Sequence, residues 1–195
     1  MSSLLNMLAG SLDEKTISQL ASQLGADDKA TQQAINAALP MLVGALGKNV
    51  ESQDGAQALA GALSSHDGSI LDDVLGNLTN PNTMQDGAKI LGHVLGGQEA
   101  KVERGISQAT GLKTDSTAQL MSMLAPLVLG ALGKQSQKQG LDAQGIASLL
   151  QGESSAAQSQ IGGFAKLLDL DGDGDATNDV MNLGGKVLKS LFGGR

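Results

Sequence analysis

The sequence predicts an all-α fold: a multi-helix bundle built from two homologous repeats with pseudo-twofold symmetry, each organised around a kinked central helix that contains Pro and Gly. Three observations predict it. The stretch Ala38-Leu-Pro-Met-Leu-Val-Gly-Ala-Leu-Gly-Lys48 returns 86 residues later as Leu124-Ala-Pro-Leu-Val-Leu-Gly-Ala-Leu-Gly-Lys134, with six identical pairs and five exchanges of one apolar residue for another. Self-similarity at a fixed offset is the mark of a copied structural unit. Apolar residues recur at spacings of three and four, with no sustained period-two alternation, which is the helical pattern. Aromatic residues are nearly absent, only Phe164 and Phe192, so Leu, Ile, Val, Met and Ala must fill the core, and such side chains suit closely spaced helices better than sheets.

In chain order, Ser2 to Ala9 reads as a short apolar helix. Ser11-Leu-Asp-Glu14 reads as a capping box for a helix to about Leu24, stopped by Gly25. Asp27 or Asp28 caps the central helix of the first repeat, whose Ile35, Leu39, Leu42, Val43 and Leu46 form a wide apolar stripe. Pro40 inside it removes a main-chain hydrogen bond and predicts a kink. Gly44 and Gly47 leave a bare strip for the approach of another backbone, because a glycine that costs a helix about 1 kcal/mol usually has a packing reason.

Gln53 to Ser64 and Ser69 to Leu78 follow as helices, then Asn80-Pro81-Asn82-Thr83 as a turn and cap leading into Met84 to Leu95. Gly96-Gly97 marks the middle of the chain. The pattern restarts with a helix at Glu99 to Ala109, Gly111 in register with Gly25, and a second central helix from Thr117 to Lys134. Beyond it Leu59 and Leu63 match Ile146 and Leu150, one residue out of the earlier offset. Asp67 to Val74 matches Asp173 to Val180 at 106, and Gly87 to Gly97 matches Gly184 to Gly194 at 97.

At 195 residues the chain could form one core or two domains of about 95. Each copy has few bulky side chains and would be marginal alone. The expectation is one helical body over residues 1–195, repeat one about 1–97 and repeat two about 98–195, with the two glycine-bearing helices packed on each other. The alternative is two similar domains divided near Gly97.

The chain has no cysteine, which excludes disulfides, thiolate metal sites and cysteine nucleophiles. The N-terminus lacks the basic start of a secretory signal, and apolar runs such as Leu124 to Gly133 are about half a membrane span, so a soluble, cytoplasmic protein is expected. Net charge is −7, of which Asp169, Asp171, Asp173, Asp175 and Asp179 supply −5 within a stretch free of Lys and Arg. With no basic face, nucleic acid is a poor partner, since phosphate contacts dominate that affinity.

That aspartate run is the candidate site. Asp169-Leu-Asp171-Gly-Asp173-Gly174 matches the first half of a calcium loop, where carboxylates at alternate positions converge on a hard cation and a glycine at the sixth takes the sharp turn. In this frame Asp175 offers a carbonyl at the seventh position, and Val180 stands where a bidentate Glu would close the loop. Asp179, one residue earlier, is the closing substitute. A second frame, two residues on, places Asp171, Asp173, Asp175 and Asp179 as ligands but loses the turn glycine to Ala176. The ligand set is therefore Asp169, Asp171, Asp173, Asp175 and Asp179, the ion Ca2+ with Mg2+ as the alternative. The competing reading is a solvated turn in which Asp179 only caps the helix after it. The matching segment of repeat one keeps Asp67, Gly68 and Asp73 but has Leu63 and Ser65 in place of the leading aspartates, so it reads as a degenerate copy.

His66 and His93 belong to no duplicated constellation, and neither a nucleophile elbow, a phosphate loop nor a zinc-binding histidine pair is present, so no catalytic residue is assigned. The run Ile17 to Gly25, then Gln33 to Leu46 with its Ala-Leu-Pro, and the closing Leu168-Asp-Leu-Asp-Gly-Asp-Gly174 with Asp179-Val180, resembles the YidB-like family of bacterial domains of unknown function (domain of unknown function 937), here as a tandem duplication. The resemblance implies an all-helical bacterial cytoplasmic protein and brings no catalytic residues. The function expected is a non-enzymatic module that binds one divalent cation and works through a protein partner or self-association. The alternative is a peripheral membrane-surface or self-assembling protein that uses its apolar terminal helices, Ser2 to Leu12 and Gly185 to Arg195.

Overall fold

The computed structural model describes residues 3–164, and among them the fold is entirely helical. The elements are α1 (Ser3–Ser11), α2 (Glu14–Leu24), α3 (Asp28–Asn49), α4 (Gln53–Leu63), a 3-10 turn (Ser69–Leu71), α5 (Val74–Leu78), α6 (Pro81–Leu95), α7 (Glu99–Thr110), α8 (Thr114–Gln139) and α9 (Ala143–Phe164).

Local chemistry sets most boundaries. Asp13 caps α2 by accepting from the Thr16 amide at 2.8 Å. The cap is thus Asp13 and not Ser11, whose hydroxyl instead donates to the Met7 carbonyl at the end of α1. Gly25 ends α2 in the left-handed conformation (φ 61°) with its amide returned to the last turn, as its place after the apolar pattern requires. Asp27 caps α3 through the Ala30 amide at 2.8 Å. The expected helix from Ser69 to Leu78 is instead a 3-10 turn and the short α5, divided where Asp73 accepts from the Gly76 amide and starts a new helix. Pro81 takes the first turn of α6, where its missing N–H has no partner to lose. The second central helix is longer than its apolar stripe predicts, Thr114 to Gln139.

α8 is the axis of the bundle. Leu120, Met121, Met123, Leu124, Leu127 and Leu132 are each completely buried. By length and composition α8 could cross a membrane, but 83% of its most apolar stretch is buried inside the fold; it is a core helix here. The two most extensive helix pairs are α3 with α9 and α6 with α8; α3 and α8 also touch. α1 lies against α8 and α9 with Leu4 and Leu8 fully buried. The buried Glu153 of α9 accepts from the Leu4 amide at 3.2 Å, placing a carboxylate at a helix N-terminus, where the macrodipole favours it.

The glycines of the central helices do not meet each other, contrary to expectation. Gly47 of α3 faces α9, where an added Cβ would lie 2.8 Å from Ser154 Cβ and 3.3 Å from the Leu150 carbonyl oxygen. On α8, a Cβ at Gly133 would overlap the His66 carbonyl oxygen and stand 3.6 Å from that of Leu63; one at Gly130 would overlap Ile70 Cγ2. The physical reason is that the bare strips admit close neighbours, main chain at Gly133 and side chains first at Gly47 and Gly130, and those neighbours come from third elements.

Candidate functional site

Asp169, Asp171, Asp173, Asp175 and Asp179 lie outside the described residues. The segment aligned with Asp173 to Val180, residues 67–74 after α4 and up to the first residue of α5, lies inside. Gly68, in the left-handed region at φ 93°, seats this loop on α8: a Cβ there would fall 2.7 Å from Lys134 Cβ and 3.0 Å from the Gly130 carbonyl oxygen.

Each carboxylate of this loop has a partner, local for Asp67 and Asp73 and on α8 for Asp72. Asp67 accepts from the Ser69 amide at 3.0 Å, closing a turn over Gly68. That amide, first among several donors, and the neighbouring His66 hold the Asp67 carboxyl below the usual carboxylate range. Asp73 accepts from the Gly76 amide at 3.0 Å, and Asp72 pairs with Lys134 Nζ at 3.6 Å on the surface. Among the described residues, no group of three or more His, Asp or Glu side chains is placed to hold a metal ion. In this segment Asp67 makes a turn and Asp73 caps a helix.

His66 sits at the end of α4 with Nδ1 2.9 Å from the Ala62 carbonyl oxygen and Nε2 3.1 Å from Asp86 Oδ2. A His–Asp pair is two parts of a nucleophilic triad, but here both ring nitrogens are already engaged, leaving none to activate a hydroxyl. His93 points its Nδ1 at the Lys89 carbonyl at 2.8 Å within α6. A cleft of about 460 Å3 lies elsewhere, between the α3–α4 junction and the start of α9, lined by Val50, Glu51, Gln57, Asp142 and Gln144 among others. Neither histidine lines it. Its Asp142 accepts from the Gly145 amide at 2.8 Å, as a helix cap does.

Sequence reasoning missed Glu153, a buried acid in a polar stretch of α9; its one signal is an acidic residue at helical spacing from Ile146 and Leu150. It also missed the reciprocal seating of main chain on glycines, which needs the third dimension.

Comparison with known protein families matches the DUF937 family, bacterial proteins of unknown function, over residues 6–135 and again over residues 136–195. The two matched segments meet inside α8. No curated protein and no solved structure matches the chain.

Proposed function

This chain belongs to the DUF937 family of bacterial proteins, a family of unknown function, so from the chain's own chemistry we propose a non-enzymatic helical module that holds one divalent cation in its C-terminal aspartate loop and acts through protein contact. The carrying observation is the alternation of carboxylates at Asp169, Asp171 and Asp173 before Gly174, with Asp175 and Asp179 following. Five carboxylates so close repel one another unless a cation neutralises them, and alternate spacing is what lets them converge on one. The degenerate copy supports the contrast: without the two leading aspartates, Asp67 and Asp73 bind their own backbone.

The fold in this proposal is one body with pseudo-twofold symmetry and central helices kinked at Pro40 and Pro126. Two sets of contacts support it. Both of the most extensive helix pairs, α3 with α9 and α6 with α8, join the first repeat to the second. The glycine contacts are reciprocal as well: Gly47 faces the Leu150 carbonyl and Gly133 faces that of Leu63, while Gly47 matches Gly133 and Leu63 matches Leu150 in the repeat alignment. Two copies exchanged about a twofold axis give such swapped pairs.

The membrane-surface reading loses its first anchor, since α1 buries Leu4, Leu5 and Leu8, and would rest on residues 185–195. A cytoplasmic location is part of this proposal, and a chain without cysteine is compatible with a reducing compartment.

The test is isothermal titration of the whole protein with Ca2+ and with Mg2+ beside an Asp169→Ala/Asp173→Ala variant. Heat and a rise in melting temperature with the wild type alone are expected. No heat with either ion, or equal heat with the variant, would remove the cation site.

A further inference from the structure

The two central helices carry the same motif, yet their matching faces are covered differently. On α8, Gly130 and Ala131 are buried beneath the loop at residues 66–70: Gly68 rests on Gly130 and Lys134, and Ile70 Cβ would stand 3.7 Å from a Cβ at Gly130. On α3 the equivalent Gly44 and Ala45 are only half-buried, and none of the described residues would lie within 4 Å of a Cβ at Gly44. The two faces are built alike, and one of them has no described cover.

The repeat alignment names the cover. The loop that closes α8 belongs to the first copy, and its match, at an offset of 106, is Asp173-Gly-Asp-Ala176, with Gly174 for Gly68 and Ala176 for Ile70. We propose that the Gly44–Ala45 face of α3 is the seat of residues 173–176 of this same chain, docked as residues 67–70 dock on α8. This rests on the two-repeat reading above and adds to it where the aspartate loop is held.

Reach permits it. Ser154 of α9 lies against Gly47, one turn from Gly44, and α9 runs ten residues further to Phe164. At 1.5 Å per residue its end is at most roughly 25 Å from the Gly44 notch. Ala176 is twelve residues beyond Phe164, a tether of up to roughly 40 Å. Size permits it too. Where Ile70 nearly fills the Gly130 notch, the smaller Ala176 would enter the Gly44 notch with room to spare.

The chain has no cysteine, so engineered pairs report cleanly. Ile70→Cys/Gly130→Cys places two Cβ atoms 3.7 Å apart once the isoleucine branch is gone, close to the mean for a disulfide, and serves as the reference. Gly44→Cys/Ala176→Cys is its counterpart across the proposed seat. In the full-length protein under mild oxidation, both pairs are expected to close, each at least about ten-fold faster in native buffer than in urea, as a preformed contact requires. If the reference pair closes and the Gly44/Ala176 pair does not, or closes no faster than in urea, the seat is overturned. If the reference pair itself stays open, the contact serving as template is wrong and the proposal falls with it.

Should the double variant fold poorly by circular dichroism, the single variant Gly44→Cys decides: its thiol is expected to react with a bulky maleimide about ten-fold more slowly than Gly61→Cys on the exposed face of α4. Equal rates would overturn the proposal. None of these outcomes depends on a cation, so failure of the titration above leaves this test intact, and the reverse holds.

Discussion

Replacing Gly133 by Ala separates a glycine needed for close approach from one that is merely tolerated. In an open helix site the change stabilises by about 1 kcal/mol, because Ala loses less backbone freedom. At Gly133 the new methyl would overlap the His66 carbonyl oxygen and stand 3.1 Å from its carbon. What it meets is main chain, so no rotamer change relieves it. The 63–66 segment must back away by on the order of 1 Å to restore ordinary carbon–oxygen contact, and forced expansion of a packed core costs about 1–3 kcal/mol and occasionally more. Set against the propensity gain, the net expectation is a loss of about 1 kcal/mol. For a chain of this size that lowers Tm by about 2–4 °C. Gly61→Ala on the exposed face of α4 is the internal reference, since a methyl there meets none of the described residues; it should raise Tm by about 2–4 °C. The assay is thermal denaturation of both variants by circular dichroism at one protein concentration. A Gly133→Ala protein as stable as the wild type, or two variants that shift alike, would refute the claim that main chain seats on this glycine.

Two further expectations follow from polar groups, one buried and one half-buried. Thr31 is fully buried in α3 with no hydrogen-bond partner for its hydroxyl among the described residues, so the nearly isosteric Thr31→Val should stabilise by about 1 kcal/mol in a denaturant titration; a loss of stability would mean the hydroxyl has a partner. The Glu103 carboxyl is raised above its ordinary value of 4.5, first by burial and then by Glu99 one turn away. A carboxyl whose pKa is raised on folding contributes stability in its protonated form, present below the unfolded pKa and lost as pH rises through the folded one. Glu103→Gln should therefore melt higher than the wild type at pH 7, and the advantage should disappear below about pH 4. An advantage that stays constant across this range would put its origin elsewhere.

Where a boundary depends on one residue's local chemistry, the sequence was a sufficient guide. Gly25 and Gly111 end helices in the left-handed conformation at matching points of the two repeats, and Asp27 caps α3. Asp13 and Ser11 are both good caps two residues apart, and the choice between them turned on where α1 ended. The split of Ser69 to Leu78 was concealed because Asp73 reads equally well inside an apolar run or at the head of a new helix. Which way the glycines face was illegible for another reason: a bare strip specifies close approach without naming the partner, and the partners are 60 to 107 residues away in the chain. Of the candidate site, the spacing of Asp169, Asp171 and Asp173 is written in the sequence alone, whereas the behaviour of Asp67 and Asp73 required coordinates.

The central claim of the proposed single body is that neither repeat would hold a core of its own. Both of the largest helix pairs join one repeat to the other, so severing the chain between Gly97 and Gln98, in the turn where Gly96 and Gly97 both take positive φ, should leave two fragments that need each other. Residues 1–97 and 98–195 produced separately should show weak helical signal and no cooperative melt, and mixing them in equal amounts should restore both. A cooperative, fully helical transition from residues 1–97 alone would contradict the account.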